Sequence, residues 1–458
     1  MHRPSWLAPF LCAIFLSVPP SAFAAGKPKP LAKPKVGDVL IAGGIAPGGN
    51  ATSSAEFYSV AKKKFLVTSA MSTARAGHQM QWFPAAWERT VNKGVAFGGF
   101  TGTASITGTS SITFTMNILD SADVYTLSNG AFALDQATQG CTMANGRALF
   151  ASIAFPGNLP TDFLQGHILM IGGLCNASNL DSCRTANILH PDHSEINSTS
   201  NPKIPIMMET LTLLADGTAL MAGGIDDFSG TITNTAEIFT PPNEFFIMLT
   251  APMMEARAGH TATLLNDGTV LIAGGIVNID GVMTATDSAE IYNPITQTFS
   301  PVLATMNWPR TGHTATLLKD GRVLLAGGFN GTSDFSLSGT ANGATLTWSN
   351  MSGSILSTAE IYDPKTKTFE PVGGINKKTG LSIAAMRSAR FDHTATMLAN
   401  GWVLLTGGFG PDKTAAIDEL NTGEIFIANK NRTTLGHFAN AGTMLSGRAL
   451  HTTVLIQK

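Results

Sequence analysis

An apolar run ending in a pair of glycines recurs seven times along this chain, and no other feature restricts its fold so tightly. The first four copies read Val39-Leu40-Ile41-Ala42-Gly43-Gly44, Val95-Ala96-Phe97-Gly98-Gly99, Ile168-Leu169-Met170-Ile171-Gly172-Gly173 and Ala219-Leu220-Met221-Ala222-Gly223-Gly224. The last three read Val270-Leu271-Ile272-Ala273-Gly274-Gly275, Val323-Leu324-Leu325-Ala326-Gly327-Gly328 and Val403-Leu404-Leu405-Thr406-Gly407-Gly408. Successive second glycines lie 55, 74, 51, 51, 53 and 80 residues apart, so a base period is stretched by insertions. Self-similarity at such a period marks stacked supersecondary units, none of which buries its own apolar surface alone. A length of 458 residues, which would otherwise suggest two or three domains, becomes one array.

Each unit reads as four short strands. In the fifth, Gly259-His260-Thr261-Ala262-Thr263-Leu264-Leu265 alternates in and out, and Asn266-Asp267-Gly268 turns the chain. Val270 to Ala273 is continuously apolar, as a strand buried on both faces must be. Ala289-Glu290-Ile291-Tyr292 is the third strand, and Asn293-Pro294 leads to a fourth around Thr298-Phe299. The first unit, from Val36 onward, lacks a first strand, and the chain closes on Gly447-Arg448-Ala449-Leu450-His451-Thr452-Thr453-Val454-Leu455-Ile456, a first strand without a second. Joining these halves completes a seventh blade and locks a ring, so removing the last ten residues is expected to cripple folding. The expected fold is all-β: a seven-bladed β-propeller of four-stranded antiparallel blades, closed by its C-terminal strand.

The paired glycines, the third-strand aromatic and the spacing between them resemble the kelch repeat of the galactose oxidase/kelch propeller superfamily. The resemblance covers residues 36–458, with Phe65, Phe299 and Phe369 where a kelch repeat usually carries a late Trp. It implies the propeller and is nearly silent on function. Copper-radical chemistry of the galactose oxidase type is disfavoured. It needs tyrosine ligands, and Tyr58, Tyr125, Tyr292 and Tyr362 all occupy the repeated third-strand position.

Recurrence separates residues that serve a blade from residues free to do a job. Histidine opens the first strand at His78, His260, His313, His393 and His451, three residues after Arg75, Arg257, Arg310, Arg390 and Arg448. In the third unit Arg147 remains and Phe150 replaces the histidine. The third strand carries Glu56, Glu237, Glu290, Glu360 and Glu424, with Asp123 and Asn187 in the other two. We read these as buried polar pairs that keep charges compensated, not as metal or catalytic groups. Glu290→Ala should therefore lower stability without selectively removing a ligand. His190-Pro191-Asp192-His193 is the one histidine cluster outside the repeat, and two histidines without a third ligand are weak evidence for a metal. No catalytic residue, cofactor or metal is expected.

Arg3, the apolar stretch Trp6 to Val18 and Ala22-Phe23-Ala24 read as a secretory signal over residues 1–24. Residues 25–35, with Lys27-Pro28-Lys29-Pro30, form an extended Lys/Pro-rich spacer, and residues 36–458 form the propeller. The mature protein is expected outside the cytoplasm, in the periplasm or secreted, as a monomer with no integral membrane segment. A net charge of −2 and a charged fraction of 13% argue against nucleic acid. Cys175 and Cys183 lie at a bridgeable separation in one loop and are the expected disulfide, with Cys141 left over.

Loop lengths carry the functional clue. The connections between second and third strands are long: Phe100 to Ser121, Leu174 to Thr185, Phe329 to Thr358 and Phe409 to Thr422. They lie on one face, and loops on a rigid scaffold are where binding resides. Asn330, Phe335, Trp348, Asp226, Asp227 and Asp280 are the candidate binding residues of that face. The expected function is recognition of a protein or glycan by adaptable polar loops, and deleting Asn330 to Gly353 should spare folding. The alternative is a carbohydrate-active enzyme of epimerase or lyase type with its site at the channel mouth.

Overall fold

Tight turns and one mainly apolar run per repeat set the strands. In the fifth, Thr261–Leu264, Val270–Ala273, Ala289–Asn293 and Thr298–Pro301 pair antiparallel in that order. The first turn closes because Asp267 Oδ1 accepts the Thr269 N–H at 3.0 Å while Gly268 takes a φ of +84°. The second strand, Val270–Ala273, is buried at all four positions. The computed structural model describes residues 31–83, 92–134, 143, 146–156, 164, 166–175, 185–190, 196–203, 206–226, 230–241, 243–340, 343–373, 385–429 and 435–457.

Seven such four-stranded sheets are present. Their first strands touch one another in sequence, from Gln79–Phe83 through Ala151–Ala154, Thr210–Leu213, Thr261–Leu264, Thr314–Leu317 and Thr394–Met397 to Thr452–Leu455, which returns to Gln79–Phe83. The protein is a seven-bladed β-propeller. In blade one the C-terminal strand Thr452–Leu455 pairs with Val39–Ala42, Val39 opposite Leu455 and Ala42 opposite Thr452. Ala32–Lys458 form one compact unit.

Seven apolar clusters fill the interfaces between neighbouring blades. Between blades five and six, Leu271, Ala273 and Val302 meet Val323, Leu325 and Tyr362. In six blades the third-strand aromatic packs on one from the fourth strand, as Tyr292 on Phe299 with centroids 4.9 Å apart. The glycine pairs seat the next blade. A Cβ on Gly327 would stand 2.4 Å from the Arg390 carbonyl and 2.9 Å from the His393 ring, and the Gly328 N–H donates to that carbonyl at 2.8 Å. Both residues take positive φ in every blade, which only glycine does without strain.

The insertions depart from the expectation of adaptable loops. Hairpins from blades one, two, five and six join edge to edge into a single eight-stranded sheet. Its centre is the pairing of Ser111–Ile118 from blade two with Gly343–Ser352 from blade six, Phe114 opposite Leu346 and Thr113 opposite Thr347. Alternation explains why the insertions fold this way. Ile112, Phe114, Met116, Ile118, Ala344 and Leu346 are buried, while Thr115 and Asn117 between them are exposed. The buried row packs on an apolar cluster that includes the residue after each glycine pair, namely Ile45, Phe100, Leu174, Ile225, Ile276, Phe329 and Phe409. The sheet is thus a roof over one face of the ring. In the first strand of blade two, Gln79–Phe83, Trp82 Nε1 donates to the Gln457 carbonyl at 3.2 Å.

Candidate functional site

The recurrent polar residues hold blades together. Arg310 donates to the Gly327 carbonyl at 2.7 Å and to Glu360 at 2.6 Å, and Glu360 also accepts the Asn307 N–H at 2.8 Å. Arg75–Asp123, Arg257–Glu290, Arg390–Glu424 and Arg448–Glu56 repeat the pair at 2.6 to 3.1 Å, and Arg147 meets Asn187 at 2.5 Å. Each arginine of these pairs is fully buried. The histidines form a second ring, in which Nε2 meets a threonine hydroxyl of the preceding blade. Thr452–His78 is 2.7 Å; Thr210–His260, Thr261–His313, Thr314–His393 and Thr394–His451 are each 3.0 Å.

Between this ring and the roof lies a cavity of about 550 Å³. Ile112, Phe114, Trp348 and Met351 line it from the roof. From the blades come the residues just before the histidine position: Gly77, Leu149, Met208, Gly259, Gly312, Asp392 and Leu450. All seven take positive φ, between 49° and 60°, and backbone hydrogen bonds link several of them from blade to blade. The Leu149 N–H donates to Gly77, Gly77 to Leu450, and Asp392 to Gly312, at 2.8 to 2.9 Å. Leu149, Met208, Asp392 and Leu450 carry side chains in a conformation that favours glycine, a strain of about 1–3 kcal/mol each that clusters at functional sites.

Blades three and four break the histidine ring. Phe150 and Glu209 stand at the histidine position there, and blade three offers Ala151 where five other blades offer a threonine. Glu209 is 8% exposed, and neither carboxyl oxygen has a hydrogen-bond partner among the described residues. Burial pushes its pKa up to about 8. Burial also raises Asp392, to about 7. Neither residue was singled out from sequence. The signal was present, because aligning the seven units places Glu209 at a position held by His in five of them and Asp392 at one held by Gly in three.

The residues that were singled out occupy varied places. Phe335 and Trp348 stack on each other, with centroids 4.9 Å apart, and are half-buried against the cluster under the roof. Asn330 staples the base of its hairpin, its Oδ1 accepting the Ser354 N–H at 2.7 Å. Asp280 sits exposed at the two-residue turn between Ile276–Ile279 and Val282–Ala285, with a φ of 52° before Gly281. Asp226 is half-buried in the short strand Ile225–Asp226, which pairs with Ile206–Met207. Trp348 alone of these lines the cavity. Asp227, Cys141, Cys183 and His193 lie outside the described residues, so the expected Cys175–Cys183 bridge is described only at its buried Cys175 end. His190 meets His167, Nδ1 to Nε2 at 3.1 Å.

No known family model and no curated protein matches this chain. Among the described residues, no three His, Cys, Asp or Glu side chains converge to hold a metal ion, and no helix is long and apolar enough to cross a membrane.

Proposed function

We propose that the chain is an exported, kelch-type recognition protein that binds a glycan on the outward face of its roof. One observation carries the reading: neighbouring strands place hydroxyl side chains in register on the outward face. Thr103, Thr115, Thr345 and Ser338 form one row across four strands, and Ser105, Thr113, Thr347 and Ser336 form the next. Thr113 and Thr347 Oγ1 atoms are 3.2 Å apart across the join between blades two and six. Strands are spaced about 4.8 Å apart, so the rows make a rigid grid of donors and acceptors suited to a polyhydroxylated chain. Protein interfaces depend instead on Trp, Tyr and Arg anchors, and neither row contains one. The glycine pairs and third-strand aromatics support the kelch assignment, and Ala22-Phe23-Ala24 supports export.

Replacing Thr113, Thr115, Thr345 and Thr347 together by Val keeps side-chain shape and strand preference while removing four hydroxyls. Glycan-array binding of the 25–458 protein should disappear in this variant while its melting temperature holds. Undiminished glycan binding by the variant would move the site off the roof.

A further inference from the structure

Glu209 is anomalous on energetic grounds. Five other blades fill its position with a histidine satisfied by the preceding blade's threonine. In blade four both halves of that contact are replaced, by a carboxyl and by the methyl of Ala151. The backbone N–H groups of Glu209 and Ala151 offset the effect of burial only part-way and make no hydrogen bond of good geometry to it. An unpartnered buried carboxyl is costly, and restoring histidine and threonine would remove the cost, so the ring gains nothing from it. Glu209 lines a cavity whose size lies within the usual range for small-molecule sites, about 300–1,000 Å³.

The charges around the cavity select the ligand. Its other acid is Asp392, and its histidines His78, His260, His393 and His451 are held neutral by burial. No lysine or arginine lines it among the described residues. The charge of Arg147 acts on Glu209 from outside this lining, with its guanidinium held by Asn187 and Thr185. An incoming cation therefore meets two acids and no fixed positive charge, and pairing with it favours the ionised form of Glu209; the walls mix polar groups with the apolar Ile112, Phe114, Leu149, Phe391 and Trp348. A single carboxyl without two further ligands does not make a metal site.

We propose that the cavity binds a small amphipathic monoamine, its ammonium paired with Glu209 and its apolar body against Ile112, Phe114 and Trp348. The aromatic faces of Phe114 and Trp348 add attraction for the cation. This site is separate from the hydroxyl rows on the other side of the roof.

Isothermal titration with 2-phenylethylamine and its near-isostere 2-phenylethanol tests the proposal. The amine should bind tighter by about tenfold or more. Glu209→Gln should erase that preference while leaving the alcohol unchanged. Ala151→Thr with Glu209→His, which rebuilds the repeat contact, should abolish amine binding and raise the melting temperature. That second variant keeps the test decisive should Glu209→Gln fold poorly. The fourfold Val variant of the roof should bind the amine as before. Equal affinity for amine and alcohol, amine binding unaffected by either cavity variant, or no binding at millimolar amine would each overturn the proposal.

Discussion

Buried histidine and buried carboxyl pull stability in opposite directions with pH, and this protein has several of each. Burial holds His78, His260, His313, His393 and His451 below the usual imidazole range, His260 down to about 3, with neighbouring arginine charges adding to the effect. Below about pH 6.5 the unfolded chain takes up protons that the folded rings exclude. Stability then falls with falling pH, by ~1.4 kcal/mol per pH unit for each histidine. Glu209, raised to about 8, and Asp392 and Glu419, each raised to about 7, keep protons that the unfolded chain releases. Their effect is a loss of stability as pH rises from the ordinary carboxyl range to those values. Five rings outweigh three carboxyls below pH 6.5 and the carboxyls act alone above it, so the urea midpoint should peak near pH 6.5, with the acid-side fall running over the wider pH range. A midpoint that stays level from pH 6.5 down to 5 would show that the histidines are not buried neutral. Much of this scale was legible from sequence: the recurrence of arginine, histidine and carboxylate marked them as parts of the blade. Glu209 was less legible, because it shares its position and not its residue type with the five histidines.

Strands within each blade were legible because their signals are local. A run such as Val323-Leu324-Leu325-Ala326 is apolar throughout, and its turn at Asp320-Gly321 lies alongside. The roof was not, because its central pairing joins Thr113 to Thr347, and nothing local in a chain announces a partner so far away. Its Ser, Thr and Gly content read as loop. A two-residue alternation was nonetheless there, Ile112, Phe114, Met116 and Ile118 on one face and Thr113, Thr115 and Asn117 on the other. The roof also revises the consequence of deleting Asn330 to Gly353: the deletion removes Ala344 and Leu346 from the cluster they help to cover. Leu346 is 1% exposed, so Leu346→Ala should cost about 2–5 kcal/mol in urea unfolding, a core-sized loss. A loss under about 0.5 kcal/mol, as at an ordinary surface site, would mean that the hairpin is a loose insertion.

At the scale of the molecule, two closures act on one ring. The C-terminal strand closes it at the edge of blade one, Leu40 opposite Val454. The roof closes one face, binding blade two to blade six. The cavity with Glu209 and the outward hydroxyl rows both depend on that second closure, which makes it the central claim. Thr113 and Thr347 face each other across the join with hydroxyls 3.2 Å apart. Replacing both by cysteine and oxidising the folded protein should give an intramolecular disulfide between positions 113 and 347, identified by peptide mass mapping. Near-complete formation of that crosslink is expected. Two free thiols after oxidation, or crosslinks only between molecules, would contradict the roof and everything placed on either side of it.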